Sequence, residues 1–463
     1  RDCLNNGIGI HHAGLPKQDR LFVENSFRNG EFQVLVCTAT LAWGVNLPAH
    51  TVIIKGTEVY NQEKGGFEDI GILDVHQMFG RAGRPQYDET GSAYLIAEKT
   101  KLKRYNEALL DAAPIQSQLM NKFTDFLNAE ISLGTVASKR DALIWGRYTF
   151  YYQLNPDDES MIRAIDRSVL NLSDNLMVRT TLVTQELQPT HLGQVAALHY
   201  IPYQDITFFN EELRCDMQES EFLETIFSSS VFKSLIVRRN EVEELSTYRT
   251  VIPVLSTPED IPGKVNILFQ SYVSLDTFKC PSLGLDQAWI ADNLPRIFSA
   301  LFELTVERGW CYLAQFSLEL KLMVERRLWY CSFKQQSPLY QFIRDNNIIK
   351  RLDMLGLSPS RIREMDYSEL HSLIRVESMT KAVTDIAQKY PIIEMDAIYK
   401  PLTDQIVNIT LNVFFDFRWD QKFVGNVMDF WIFIEDQEGD KIYCVQTTSI
   451  DRKTARDGFE FSY

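Results

Sequence analysis

Residues Val34-Leu35-Val36-Cys37-Thr38-Ala39-Thr40-Leu41-Ala42-Trp43-Gly44-Val45-Asn46-Leu47-Pro48-Ala49 constrain the fold of this chain more than any other stretch. A short β-branched and apolar run reads as a buried strand, and it breaks into Thr, Ala, Gly, Asn and Pro, the composition of a loop. In an open parallel α/β sheet, the loop at a strand's C-terminal end is where ligands bind. Hydroxyls and backbone N–H groups there can hold a phosphate or a sugar. Upstream, His11-His12-Ala13-Gly14-Leu15 leads into Arg20, Val23, Glu24 and Phe27 at helical spacing. Further strands near Val52–Ile54 and Ser92–Ala97 alternate with helical stretches, so residues 1 to about 110 read as an α/β unit.

A second motif, Gln77-Met78-Phe79-Gly80-Arg81-Ala82-Gly83-Arg84-Pro85-Gln86-Tyr87-Asp88, sets two arginines three apart beside two glycines. On a helix that spacing places Arg81 and Arg84 on one face. Guanidinium suits bidentate phosphate contact and stabilises charge that builds during phosphoryl transfer, while Gly80 and Gly83 permit close backbone approach. A bare R-x-x-R also fits a solvated helix end; the neighbouring motifs favour the phosphate reading. Between the two motifs, Lys55 to Asp69 has β-rich arms around a turn containing Asn, Lys and Gly-Gly, a candidate hairpin.

In order and spacing, H-H-A-G-L at 11–15, T-A-T-L-A-W-G-V-N-L-P-A at 38–49 and Q-M-F-G-R-A-G-R-P at 77–85 resemble the second RecA-like lobe of a superfamily-two DExH helicase. The resemblance is to the large helicases in which a winged helix and a Sec-type unit follow this lobe, and it runs along nearly all 463 residues. It implies that Arg81 and Arg84 stabilise the transferring phosphoryl of ATP and that Gln77 orients water or phosphate. It further implies that Gly44, Asn46, Gly80 and Gly83 border the nucleotide, and that Thr38, Thr40 and His12 contact nucleic acid. The hairpin, with Tyr60, Lys64 and Phe67, becomes a strand separator; from the residues alone an ordinary connecting hairpin fits as well. The resemblance also implies 3′ to 5′ translocation on a single strand of RNA or DNA and protein subunits of a larger complex. The work served is either ribosome quality control and alkylation repair or pre-mRNA splicing.

Neither G-x-x-x-x-G-K-[ST] nor D-E-x-H occurs; Gly263-Lys264 is followed by Val265 and lacks the spaced upstream glycine. The chain, which opens on Arg1, therefore reads as a fragment of a longer helicase whose first lobe supplies the P-loop and most of the Mg²⁺ site. Alone it is expected to be inactive. The competing reading is a non-enzymatic scaffold for nucleic acid or protein, or a pseudo-helicase module. The missing P-loop favours that reading and the retained arginines oppose it.

The expected fold class is multidomain. An α/β RecA-like lobe (1–110) precedes a winged helix (111–190), an α-helical ratchet bundle of the Sec-type unit (191–347), a helix-loop-helix domain (348–391) and an immunoglobulin-like β-sandwich (392–463). Asn155 to Thr190 is short and shows no aromatic-Gly pair or small β-wing, so a trimmed wing is expected. Leu285 to Trp310 has three-four apolar spacing and resembles the family's ratchet helix, in which Trp289 would stack a base and Arg296 hold a phosphate. A Trp on an apolar stripe also serves as core filler. Pro295 is expected to interrupt and kink this helix, and Asp292 sets a negative charge on its path. In the last segment Ile406–Val413, Trp419, Phe430–Ile434 and Lys441–Gln446 read as strands, about four where a sandwich has about seven.

The net charge of −15 runs against non-specific nucleic-acid binding, so any strand must be held by a local lining. Seven scattered cysteines without C-x-x-C spacing read as reduced thiols, and adjacent His11 and His12 share no helix face, so no metal is expected. No stretch of about eighteen apolar residues and no leader pattern is present, which reads as a soluble, intracellular protein of the nucleus and/or cytoplasm with no membrane partner.

Overall fold

The computed structural model describes residues 6–463 except 13–14, 16, 39–46, 48, 62–65, 84–87, 111–115, 155, 182–185, 344–345, 404–405 and 437–440. It divides into two compact units, 1–116 and 117–463.

In the first unit β1 (Ile8–His11) and β2 (Val34–Cys37) pair in parallel, with α1 (Lys17–Arg28) as the crossover that parallel pairing requires. The Phe32 ring fills the space where a Cβ on Gly9 would lie. β3 (Thr51–Lys55) leads through the antiparallel hairpin β4 (Glu58–Asn61) and β5 (Gly66–Asp69) and then α2 (Ile72–Phe79) to its parallel partner β6 (Ser92–Ile96). Helix α3 (Lys99–Leu110) follows, and Ile54, Val75 and Tyr105 form the closed core, with the Tyr105 hydroxyl donating to the Ile70 carbonyl at 2.7 Å. The strands match the sequence reading, but β2 is not the buried strand its composition implies. Val34 and Val36 are exposed, as are Ile10 on β1, Ile53 on β3, and Tyr94 and Ile96 on β6. Among the described residues, one face of each parallel pair is uncovered.

The second unit opens with α4 (Phe123–Ser132), α5 (Lys139–Tyr148), α6 (Phe150–Leu154) and α7 (Asp158–Asp174). Ser138 and Asp157 accept backbone N–H bonds at the starts of α5 and α7, as N-caps should. β7 (Val178–Thr180) and β8 (Leu187–Pro189) then pair antiparallel. This short pair stands in the segment where a trimmed wing is expected; strands three residues long have no readable period, and pairing rather than composition creates them. Helix α8 (His191–Leu198) packs on α4 and on the chain entering β7: a Cβ on Gly193 would lie 3.0 Å from the Asn128 side-chain oxygen and 2.2 Å from the Met177 carbonyl oxygen.

The chain continues through α9 (Tyr203–Glu212), α10 (Glu219–Phe227), α11 (Arg239–Thr247), α12 (Ile261–Val273), α13 (Pro281–Glu307), α14 (Cys311–Arg326) and the short pair β9 (Tyr330–Cys331) and β10 (Lys334–Gln335). One contiguous apolar core spans Phe123 to Cys331. Helix α13 runs 27 residues straight through Pro295, against the expected interruption. An internal proline costs about 3 kcal/mol. Leu283, Ile290, Leu294, Ile297, Phe298 and Leu301 are each fully buried on the same helix, at about 1.5–3 kcal/mol apiece, so packing outweighs the local penalty.

A separate small core, including Leu339, Ile349, Leu352, Leu370 and Val383, joins α15 (Asn346–Met354), α16 (Pro359–Glu364), α17 (Tyr367–Ile374) and α18 (Glu377–Lys389). Two antiparallel sheets close the chain. One has the order β11 (Ile392–Pro401), β12 (Val407–Asp416), β15 (Phe459–Ser462); the other pairs β13 (Val427–Glu435) with β14 (Ile442–Asp451). Helices α19 (Gln421–Val424) and α20 (Arg452–Asp457) lie in the connections, and Phe415 links the sheets through Phe430, ring centres 5.6 Å apart. Trp419 is not in a strand as expected; it sits between β12 and α19, its ring against Phe417. Cys37, Cys215, Cys280, Cys311, Cys331 and Cys444 are free thiols. Among the described residues no helix is long and apolar enough to cross a membrane.

Candidate functional site

Helix α2 ends at Phe79 and gives way to a turn. The Gly80, Arg81 and Ala82 amides donate back to His76, Met78 and Phe79, and Gly83 then adopts φ +92°, a left-handed conformation that glycine accepts without strain. Arg81 therefore lies past the end of α2, and Arg84, the other arginine of the spacing argument, lies outside the described residues. The turn is bound on its other side to Ala49, two residues before β3. Ala49 donates to the Arg81 carbonyl at 3.0 Å and accepts from the Gly83 amide at 2.8 Å, and Ala49 and Ala82 form a parallel bridge. Gly91 makes this docking possible: a Cβ there would lie 2.6 Å from the Ala82 carbonyl carbon and the Gly83 nitrogen. Gly83 needs its positive φ, whereas the close backbone approach belongs to Gly91, which the sequence reading missed because it lies outside the motif.

Arg81 is half-buried and engaged with neighbours, Gln77 is exposed in the last turn of α2, and Arg84 lies outside the described residues. Thr38, exposed, follows β2 with its amide on the His11 carbonyl at 3.2 Å; Thr40, Gly44 and Asn46 lie outside the described residues. His12 is half-buried after β1. The neighbouring His11 is buried with its ring Nε2 hydrogen-bonded to the Glu24 carboxylate at 2.9 Å, a link between strand and helix. Among the described residues no three His, Cys, Asp or Glu side chains converge as a metal site.

The hairpin pairs Glu58 with Asp69 and Asn61 with Gly66. Helix α3 clamps its base: the Lys101 ammonium lies 2.6 Å from Glu58 and 2.8 Å from Asp69, and Arg104 lies 3.0 Å from Asp69. Hydrogen bonds to Asp69 and then Glu58 hold Lys101 charged above its usual range. Toward the tip, Phe67 is 71% exposed, the Tyr60 side chain is not described, and Lys64 lies outside the described residues. A rigid base bearing an exposed aromatic is suited to pressing on a stacked base.

In the second unit Trp289 is half-buried, edge-to-face with Phe232 at 6.2 Å and packed on the core. Arg296 is committed to protein. It donates to the Tyr200 carbonyl at 2.5 Å, the His199 carbonyl at 3.4 Å and the Asn293 side chain at 2.7 and 3.2 Å. Burial pulls its guanidinium below the usual range, and these carbonyls close the C-terminal end of α8. Asp292 is exposed on the same helix.

The arginine motif offers a guanidinium at Arg81 and an amide at Gln77, donors that fit a polyphosphate, and its one carboxylate, Asp88, lies 3.4 Å from His50.

Three family profiles match in succession: the Helicase conserved C-terminal domain over residues 3–86, the Winged Helix-turn-helix domain over 116–177, and the Sec63 Brl domain over 189–462. Among curated proteins the chain is similar to the DExH-box ATP-dependent RNA helicase DExH12 of Arabidopsis thaliana, 39% identical over 96% of this chain and 21% of that protein. Activating signal cointegrator 1 complex subunit 3 of Homo sapiens is 37% identical over 96% and 21% of the two chains. The U5 small nuclear ribonucleoprotein 200 kDa helicase of Homo sapiens is 35% identical over 99% and 22%. The chain thus spans about a fifth of the length of the curated relatives it matches.

Proposed function

Because the chain belongs to the Sec63 Brl domain family, we propose that it is the C-terminal half of an ATP-driven 3′ to 5′ helicase cassette within a longer parent. The observation that carries this reading is that the helicase profile ends on the glycine-shaped turn that docks Arg81 against Ala49. ATP supplies the phosphoanhydride whose cleavage drives the cycle. From this chain, Arg81 and Arg84 neutralise charge on the transferring phosphoryl, Gln77 orients water or phosphate, and Gly80 and Gly83 shape the turn. Gly44 and Asn46 pass closure on to a strand held near Thr38, Thr40 and His12. The P-loop and the Mg²⁺ ligands come from the parent's other lobe, and the chain alone does not hydrolyse ATP.

The domain succession proposed is a RecA-like lobe to 110, a winged helix to 190, a ratchet bundle to 347, a helix-loop-helix to 391, and then an immunoglobulin-like sandwich. Five antiparallel strands in two sheets support the last assignment. Trp289 is proposed to stack a base at the edge of the core. Arg296, committed to carbonyls, would reach a phosphate only by giving up part of that set. The relatives' names favour RNA as the strand and a cointegrator complex or a small nuclear ribonucleoprotein as the setting; the location proposed is the nucleus and/or cytoplasm.

The test is the hairpin. Replacing Tyr60 to Gly66 by a short Gly/Ser turn in the full-length parent should abolish duplex separation and leave nucleic-acid-stimulated ATP turnover within a few-fold. Equal unwinding by the replaced protein would refute the assignment. A non-enzymatic scaffold remains the second reading, favoured by the lack of G-x-x-x-x-G-K-[ST] and D-E-x-H in these 463 residues.

A further inference from the structure

The Gly263-Lys264 pair, which fails as a P-loop, has another use. Helix α12 is buried on every side from Gly263 to Ser271, and Lys264, Asn266, Gln270 and Ser271 are all fully inside. The Lys264 ammonium donates to Glu241 on α11, Asp286 on α13 and the Ile236 carbonyl, each at 2.7 Å, which matches its three N–H bonds to three acceptors. Glu241 also takes the Arg238 guanidinium at 2.7 Å and the Ser282 hydroxyl, and Arg238 lies 3.6 Å from Asp286. Two cations and two carboxylates therefore balance. Burial pushes the Glu241 carboxyl up, but hydrogen bonds from Lys264, Ser282 and Arg238 outweigh it and hold it at about 2. Two turns along α12, the Ser271 hydroxyl accepts from the Gln287 amide at 2.8 Å, and the same amide reaches the Asp276 carbonyl at 3.3 Å.

Stability does not account for such a cluster, since apolar residues of equal volume commonly serve as well or better than a buried ion group. Register does. Helix α13 buries Leu283, Gln287, Ile290, Leu294, Ile297, Leu301 and Leu304, in alternating steps of four and three. A seam of that spacing nearly repeats every seven residues, so packing alone tolerates a slip that presents one apolar side chain in place of another. Asp286 and Gln287 have no such substitutes: one turn on stand Ile290 and Ala291, and seven residues on stand Asn293 and Leu294. A slipped helix would leave Lys264 buried and short of a carboxylate.

We propose that Lys264 and Ser271 are positioning residues that fix the register and rotation of α13 against α12, so that one set face of α13 meets a translocating strand. Only the strand clause rests on the helicase reading. The test removes the charges together, with Lys264→Met, Glu241→Leu and Asp286→Leu, so that no ion is stranded. In the full chain, bio-orthogonal spin labels at the exposed positions Glu243 and Ala288 report the α11–α13 distance. The wild type should give one distance. The triple variant should give two, separated by about 5 Å, one helical turn. In the parent, base pairs opened per ATP should fall about tenfold while ATP turnover stays within about threefold. A single unchanged distance in the triple variant overturns the inference. If that variant does not fold, Gln287→Leu with Ser271→Ala removes the second pin without touching a charge. It should broaden the distance and lower coupling about threefold, and an unchanged distance overturns the inference equally. A wild-type parent that opens no duplex would sink the helicase reading and leave the distance result standing.

Discussion

Among the described residues of 1–116, Ile54, Val75 and Tyr105 form a core cluster, whereas 117–463 bury one continuous core from Phe123 to Cys331 and a second around Leu352. The proposed chemistry belongs to the first unit. There the geometry of the arginine turn is set by backbone contacts between Ala49, Arg81 and Gly83 and by the missing Cβ of Gly91. In the second unit geometry is set by packing and by buried polar pins. The two regimes fail differently, since a turn held through backbone contacts opens locally while a contiguous core resists until it unfolds as a whole.

The largest expected effect separates the regimes. Gly91→Val pushes a branched side chain into the Ala82–Gly83 backbone, and should cut ATP turnover of the parent about 10²-fold while the melting of 117–463 is unmoved. Turnover within twofold of wild type would break the contrast. Next, Gly263→Ala, whose Cβ would lie 2.0 Å from the Thr257 carbonyl oxygen, should destabilise the second unit by about 3 kcal/mol in denaturant titration. An unchanged midpoint would show that this region yields more readily than its burial implies.

A third expectation concerns pH. Burial, and then the nearby Glu219 carboxylate, pushes Glu319 on α14 up from about 4.5 to about 7. The fold thus favours the protonated form. Its contribution is complete below about 4.5 and is lost as pH rises through about 7, so the second unit should lose about 2–3 kcal/mol across that window. Glu319→Gln should flatten the slope; an identical slope would contradict the assignment. The smallest effect is at the hairpin base. Lys101→Ala removes an exposed clamp and should lower unwinding by only about two- to threefold with ATP turnover unchanged.

Much of this arrangement is legible in the sequence. β2, β3 and β6 announce themselves as apolar runs broken by turn residues, and the hairpin by its Gly-Gly. What escaped was decided by partners distant in the chain. Helix α13 persists through Pro295 because six buried side chains outweigh one lost hydrogen bond. At the site the glycines marked the turn, where Gly83 has φ +92° and Arg81 stands past the end of α2. Gly91 and Lys264 carried no usable motif; only the backbone 2.6 Å from the one and the two carboxylates around the other reveal them.

The most direct test of the account is ATP turnover by the full-length parent carrying Arg84→Ala, measured beside nucleic-acid affinity on the same preparation. The account predicts turnover lower by about 10³-fold or more with affinity within a few-fold. Unchanged turnover would contradict it.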